Sequence, residues 1–362
     1  MTTTRLRTAA VARASNALRR RLRALEQRLM PPPAAMLELV TAGMLSQAVA
    51  VAAELGVADE LAGGPRTASE LARRLDVSED GLSRLLRSLA ARGVFAQDGR
   101  ARYSLTALGR TLCSGGPTSM RAMARLFGTS EHREHWSHLL EAVRTGRPQV
   151  ESVRGTDVWA YASENPEYGA IFNDAMTSMS DLAKTAIVAA YDFSPFGTVV
   201  DVGGGHGSLL ATILKKNPAT SGVLYDLPSV TAGAGALLRG EGVDSRCAVA
   251  SGSFFDEVPA GGDAYVLKGI IHSWTDDQVR EILGNVRSVI KPDGRLLLIG
   301  LIVPPGNSPH MSKVFDLEML LVVGGRERSG PEHRRLLADA GFELTGVTRT
   351  ASPMCVVEAR PS

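Results

Sequence analysis

The chain holds three cysteines in 362 residues, Cys113, Cys247 and Cys355. They are too few and too far apart for a disulfide framework or a CxxC metal site, so a reducing cytoplasm is the expected compartment. Lys and Arg number 40 against 38 Asp and Glu, a net charge of +2 that excludes a polyanion binder by overall charge. No apolar run approaches the roughly 20 residues that cross a bilayer, and no internal repeat or low-complexity tract is present. Acids are almost missing from residues 1–33, which carry eight arginines and only Glu26. Residues 19–30 read as a basic helix stopped by Pro31-Pro32-Pro33. Without an apolar h-region this is no secretory signal. An Arg-rich, acid-poor stretch also fits an organellar transit peptide, but a mobile solvated extension is the simpler reading.

Glycine, by contrast, is concentrated where it is most informative. Residues 199–207 read VVDVGGGHG: a buried strand, an acid, three glycines, His206 and a fourth glycine before Ser208-Leu209-Leu210. Such a strand, tight turn and helix start predicts a nucleotide-like cofactor, with glycines letting a ligand approach the backbone N–H groups.

Residues 34–55 form a nearly all-apolar helix that calls for burial on more than one side, in a core or at a subunit interface. A small module follows. Thr67 caps a helix with Glu70 at the capping-box position. Ser78 opens a second helix carrying Leu82, Leu85, Leu86 and Leu89, and a hairpin turns at Asp98-Gly99. Helix, turn, helix and hairpin make a winged helix. Its literal reading is DNA binding, but Glu79 and Asp80 stand where phosphates would lie, so a structural role is expected. The pattern stays helical to about Ala190, a linker spans residues 192–197, and strands and helices then alternate. That alternation predicts an α/β fold with a mainly parallel sheet covered on both faces, the last two strands pairing antiparallel.

Both dehydrogenases and S-adenosylmethionine enzymes place an adenosine at the edge of such a sheet. Gly203, Gly205 and Ser208 nearly fit GxGxxG, and Asp226, 23 residues after Gly203, suits ribose hydroxyls in either case. Three features separate the two: Asp201, the strand ending at Lys268 and continuing through His272 to Trp274, and the turn of residues 290–295 into a hydrophobic strand. Inside its strand Asp201 can meet the ammonium of an amino-acid cofactor, whereas it would repel a pyrophosphate.

In order, DVGGGHG, YDLPSV, GSFFDEVP, DAYVLKGIIHSWTDD, IKPDGRLLL and GGRERS resemble the caffeate-type small-molecule O-methyltransferases, from about residue 34 to the end. The resemblance implies a winged-helix dimerisation domain over residues 34–190 and a Rossmann-like methyltransferase domain over residues 191–362. It implies S-adenosyl-L-methionine as cofactor, a homodimer, a hydroxylated aromatic or polyketide-like acceptor, and no nucleic-acid or membrane partner. Ser180, Gly203, Gly205, Asp226, Leu227, Ser253, Phe254, Lys268 and Trp274 take the positions of cofactor contacts, beside Asp201. Phe172, Met176 and Met319 take those of an apolar acceptor pocket. His272 matches the general base and Glu327 an acid that orients it.

The chemistry explains why a base is wanted. Methyl transfer from a sulfonium needs an aligned nucleophile and exclusion of water. A phenol titrating near 10 is a poor nucleophile at neutral pH, and passing its proton to an imidazole corrects that. The chain departs from the family pattern at three points. Ser253 replaces an Asp, Ser273 follows the histidine where many members have Asp, and Gly300 stands where a second orienting acid is usual. A winged-helix sensor of S-adenosylmethionine, or a non-methylating enzyme that binds the cofactor, is the alternative reading. His132, His135 and His138 form no metal site that the sequence can complete.

Overall fold

A computed structural model describes residues 22, 25, 29–116 and 118–362. All eight N-terminal arginines, and with them most of the extension expected over residues 1–33, lie outside the described residues. The chain divides into two compact units. One comprises Leu140–Val150 and Ser180–Ser362; the other ends at Leu139 and resumes over Glu151–Met179. The division falls inside the helix Pro166–Ala190, earlier than the break expected at residue 190. Ala183, Ile187 and Val188 explain the difference, because they are buried in the core of the C-terminal unit.

The N-terminal unit begins with the helix Pro32–Glu54. Its C-terminal part packs inward through Ala50, Ala52 and Ala53, and Gly128 lets the helix Arg121–Gly128 approach Ala50 closely. Among the described residues its N-terminal part is left exposed: Met36, Leu37, Leu39 and Val40 face outward, as does Met44 at 74%. This helix corrects the expectation that no apolar run nears a membrane-spanning length. It has 23 residues and a hydropathy of 1.5, sufficient to cross a bilayer by length and composition alone.

The winged module follows the sequence closely. Thr67 accepts the Glu70 amide at 3.2 Å and Glu70 accepts the Thr67 amide at 2.7 Å, opening the helix Ala68–Leu75. Ser78 caps the helix Glu79–Ala90. Strands β1 (Arg66–Thr67), β2 (Phe95–Gln97) and β3 (Arg102–Leu105) pair antiparallel in the order β1-β3-β2. In the hairpin the left-handed position is Ala101, at φ +58°, not Gly99. Asp98 steadies the turn by accepting the amides of Arg100 and Arg102. Leu71, Leu82, Leu86 and Leu89 join one core with Phe95 and Tyr103.

The C-terminal unit is built on seven strands. They are β4 (Thr198–Val202), β5 (Ser221–Asp226), β6 (Cys247–Ser251), β7 (Ala264–Lys268), β8 (Arg295–Gly300), β9 (Phe342–Arg349) and β10 (Cys355–Pro361). The order is β6-β5-β4-β7-β8-β10-β9, parallel throughout except for β10, which is antiparallel to both neighbours. Alternate side chains of β4 serve opposite faces: Val199 enters one buried cluster, Val200 and Val202 the other. Because the chain leaves β4 first toward β5 and later toward β7, a crevice opens beyond the carboxyl end of β4. The glycine turn stands at that crevice.

Candidate active site

The turn after β4 is made of residues that only glycine can supply. Gly203, Gly205 and Gly207 have φ of +68°, +63° and +86°. A Cβ on Gly203 would stand 2.4 Å from the Ile270 side chain, and one on Gly204 would stand 2.8 Å from the Asp201 carboxylate. The amides behave differently from the expectation that they face a ligand. Those of Gly203 and Gly204 donate to the Tyr225 carbonyl, that of Gly205 to Asp226 Oδ2 at 2.8 Å, and that of Gly207 to the Gly204 carbonyl. An anion cradle needs free amides. This turn has spent four of them, which suits a cofactor without phosphates and disfavours a dinucleotide. Gly203→Ala is expected to weaken S-adenosylhomocysteine binding about tenfold by calorimetry, since the left-handed conformation alone costs a side chain roughly 1–2 kcal/mol.

Asp201 lies at the same turn with 1% exposure, and among the described residues neither carboxylate oxygen makes a well-formed hydrogen bond, the Leu210 amide giving it only weak help. Burial pushes its carboxyl up to about 7; Lys268 works against the rise and Asp226 adds to it. A buried acid of this kind is costly unless a cation meets it. The ammonium of an amino-acid cofactor is such a cation, so the site fits the group. Lys268, at the end of β7, is drawn below its ordinary value by burial, with Asp201 and Asp181 opposing.

Asp226 ends β5 and accepts the Leu227 amide at 2.7 Å in addition to that of Gly205. Leu227 is exposed. Beyond β6, the Phe254 ring touches the would-be Cβ of Gly203 and lies 6.1 Å from the Trp274 ring, edge to face. The Ser253 hydroxyl accepts the Phe255 amide at 3.2 Å. These residues therefore converge on one edge of the sheet, around the glycine turn.

His272 sits in a short turn, Ile271–Ser273, just after β7. Its Nδ1 is 2.9 Å from Glu327 Oε1, with the histidine side chain 28% exposed and the glutamate 2%. A carboxylate only accepts, so Nδ1 carries the proton and Nε2 keeps a free lone pair. The Glu327 amide in turn donates to Asp316 Oδ1 at 2.8 Å. A cavity of about 20 Å³, room for roughly one water, is lined by Gly300, His272, Glu327 and His333 among others. A Cβ on Gly300 would meet nothing within 4 Å.

The remaining candidates are more scattered. Ser180 begins the portion of its helix that belongs to the C-terminal unit, and Met319 lies partly buried in the helix Ser312–Val322. Phe172 and Met176 belong to the N-terminal unit. Phe172 packs against Trp159 and Tyr168 there, and Met176 is exposed. Sequence reasoning missed four residues. Asp181 accepts the Ser208 hydroxyl at 2.9 Å, and Lys184 donates to that hydroxyl at 2.8 Å, at the very start of the helix after the glycine turn. Asp316 and Arg328 flank Glu327 (below). An Asp and a Lys three residues apart on a helix read as solvated surface, and only the fold brings them to Ser208.

A spent glycine turn, a buried unpaired acid and a histidine–glutamate pair at one sheet edge agree with two family models. One, for the O-methyltransferase domain, matches residues 136–343, and the other, for the O-methyltransferase dimerisation domain, matches residues 37–115. The chain belongs to the O-methyltransferase family. It is an S-adenosylmethionine-dependent O-methyltransferase by that membership.

Among its relatives is the phenazine O-methyltransferase PhzM of Lysobacter antibioticus, 40% identical over 332 residues, 92% of this chain and 97% of the relative. The O-demethylpuromycin-O-methyltransferase of Streptomyces alboniger is 39% identical over 333 residues, covering 90% and 88%. Among solved structures, CalO1, a methyltransferase in calicheamicin biosynthesis in its SAH-bound form, superposes with a TM-score of 0.84 at 35% identity, covering 92% of this chain and all of that one. These relatives favour methyl transfer over the regulator and the non-methylating enzyme.

Proposed function

We propose that this O-methyltransferase methylates a hydroxyl on a planar, largely apolar small molecule, with His272 as general base and Glu327 holding it. The observation that carries the reading is the 2.9 Å contact between His272 Nδ1 and Glu327 Oε1, which favours the tautomer whose Nε2 can accept a proton. Bound S-adenosylmethionine supplies an activated methyl group on a sulfonium. The protein's part is to hold and orient. Asp201 takes the ammonium, Ser180 the carboxylate, and Asp226 the ribose hydroxyls. Phe254 and Trp274 flank the adenine, with Ser253 at its amino group. Gly203, Gly205, Leu227 and Lys268 complete the cofactor wall.

During transfer His272 Nε2 would take the proton of the acceptor hydroxyl, and Glu327 would stabilise the resulting imidazolium. Met319, partly buried in the helix Ser312–Val322, supplies apolar acceptor wall within the C-terminal unit. The acceptors named for the relatives, a phenazine and a demethylated puromycin, support a ring-bearing acceptor. The test is transfer of radiolabelled methyl to a panel of phenols, naphthols and hydroxyphenazines. Label in at least one product is expected. S-Adenosylhomocysteine binding with no transfer to any acceptor would sink the reading.

The working form is proposed to be a cytoplasmic homodimer. Its interface covers Met36, Leu37, Leu39, Val40 and Met44, an exposed apolar row on a helix within the stretch that the dimerisation model matches. That row, rather than a bilayer, accounts for the apolar character of the helix. Nucleic acid is not a proposed partner: Glu79 and Asp80 occupy the first turn of the would-be recognition helix, and Asp80 already holds Arg84 at 2.9 Å. Met44→Asp is expected to raise the dimer dissociation constant at least about tenfold in sedimentation equilibrium, because it places a charge in a desolvated apolar contact.

A further inference from the structure

Arg328 follows Glu327 in sequence and is only 2% exposed. Its guanidinium donates mainly to the segment Ile271–Asp276, which carries His272, with one longer contact of 3.4 Å from Nη1 to the Arg326 carbonyl. Nη1 donates to the Ile271 carbonyl at 2.6 Å, and Nη2 to the Trp274 carbonyl at 3.0 Å. Nε and Nη2 donate to Asp276 Oδ1, at 3.0 and 2.7 Å. Between the two carbonyls, that of His272 itself accepts the Arg326 amide at 2.9 Å. The two segments lie so close that a Cβ on Gly325 would stand 2.0 Å from the His272 carbonyl oxygen. The segment bearing the base and the segment bearing its acid are thus stitched together on both sides of the His272–Glu327 hydrogen bond.

We infer that Arg328, with Asp276, is a positioning clamp that sets the geometry between His272 and Glu327. The inference rests on the proposed role of His272 as base. Burying a guanidinium is expensive and needs a well-fitted partner. Burial alone would raise the Asp276 carboxyl. The Arg328 hydrogen bonds and the nearby Arg326 and Arg335 outweigh it and hold the carboxyl low, so the pair is ionised. Only arginine offers donors in a rigid planar fork that reaches a carboxylate and two carbonyls at once. Among the described residues Glu327 is the carboxylate that touches the imidazole, so the geometry of this single contact depends on how its segment is held.

Arg328→Lys keeps the charge and loses the fork. It is expected to lower kcat at least about tenfold while S-adenosylhomocysteine Kd stays within about twofold. In the Glu327→Ala background the same change is expected to cost under about twofold, because the contact it positions is already gone. A merely structural role predicts equal factors in both backgrounds, and that result overturns the clamp. If Arg328→Lys does not fold, Asp276→Asn is the second variant, with kcat expected to fall about fivefold and the same non-additivity. Unchanged kcat in Asp276→Asn also overturns it. Failure of the base itself is read separately, as full activity in His272→Ala.

Discussion

His272→Ala is expected to lower kcat about 10²–10⁴-fold, the range that a positioned general base contributes. S-Adenosylhomocysteine Kd should stay within about twofold, because the imidazole is proposed to touch the acceptor and not the cofactor. The two readouts together identify the role. A drop in both would mean that the turn Ile271–Ser273 had collapsed rather than that a base was removed. The variant should also respond differently to acceptors of different acidity. An acceptor whose hydroxyl titrates below the assay pH arrives already deprotonated and gains little from a base. The loss should therefore shrink for nitrophenol-like acceptors and be largest for unactivated phenols. An equal loss across that series would count against proton transfer at Nε2.

The second large effect belongs to Asp201. In the protein without cofactor, burial lifts this carboxyl from its ordinary 3.8 to about 7. A group raised in the folded state is stabilising when protonated. Its contribution is complete below pH 3.8 and drains away as pH climbs through 7. The difference of about three pKa units corresponds to roughly 4 kcal/mol at most. Cofactor-free protein is therefore expected to lose stability between about pH 4 and pH 7, measured as the urea midpoint, and Asp201→Asn to flatten that loss.

The cofactor's ammonium reverses the preference, since it favours the ionised acid. S-Adenosylhomocysteine affinity should thus tighten as pH rises toward 7 and level off above it. Asp201→Asn is expected to weaken binding at pH 8 by about 10–100-fold, the loss of a charge-assisted contact of roughly 1.5–3 kcal/mol. Stability gained and affinity lost in one substitution is the signature. Affinity independent of pH and unchanged in Asp201→Asn would remove the ammonium from this position.

Much of this site is legible along the chain because its parts are local. The glycines after β4, the acid inside that strand and the histidine after β7 each sit at a strand end, where period and turn chemistry mark them. The winged module is legible for the same reason: its caps at Thr67 and Ser78 and its leucine spacing are interactions over three or four residues. Strand β6 was not visible. Cys247-Ala248-Val249-Ala250-Ser251 is a short edge strand with mostly small residues, and its only long partner is β5. The helix Ser312–Val322 was missed too, because its apolar residues do not keep to one face.

What composition and local pattern determined was the chemistry on offer: a phosphate-free cofactor crevice and an imidazole at its rim. Their mutual placement came only with the tertiary fold. Glu327 is 55 residues from His272, and β10 slips between β8 and β9 against the order of the chain. Asp201 became an unpaired buried acid, and the glycine amides were spent inside the protein, only once β5 and β7 closed around β4. Burial and long-range hydrogen bonding depend on which segments meet, and no window of sequence contains both partners.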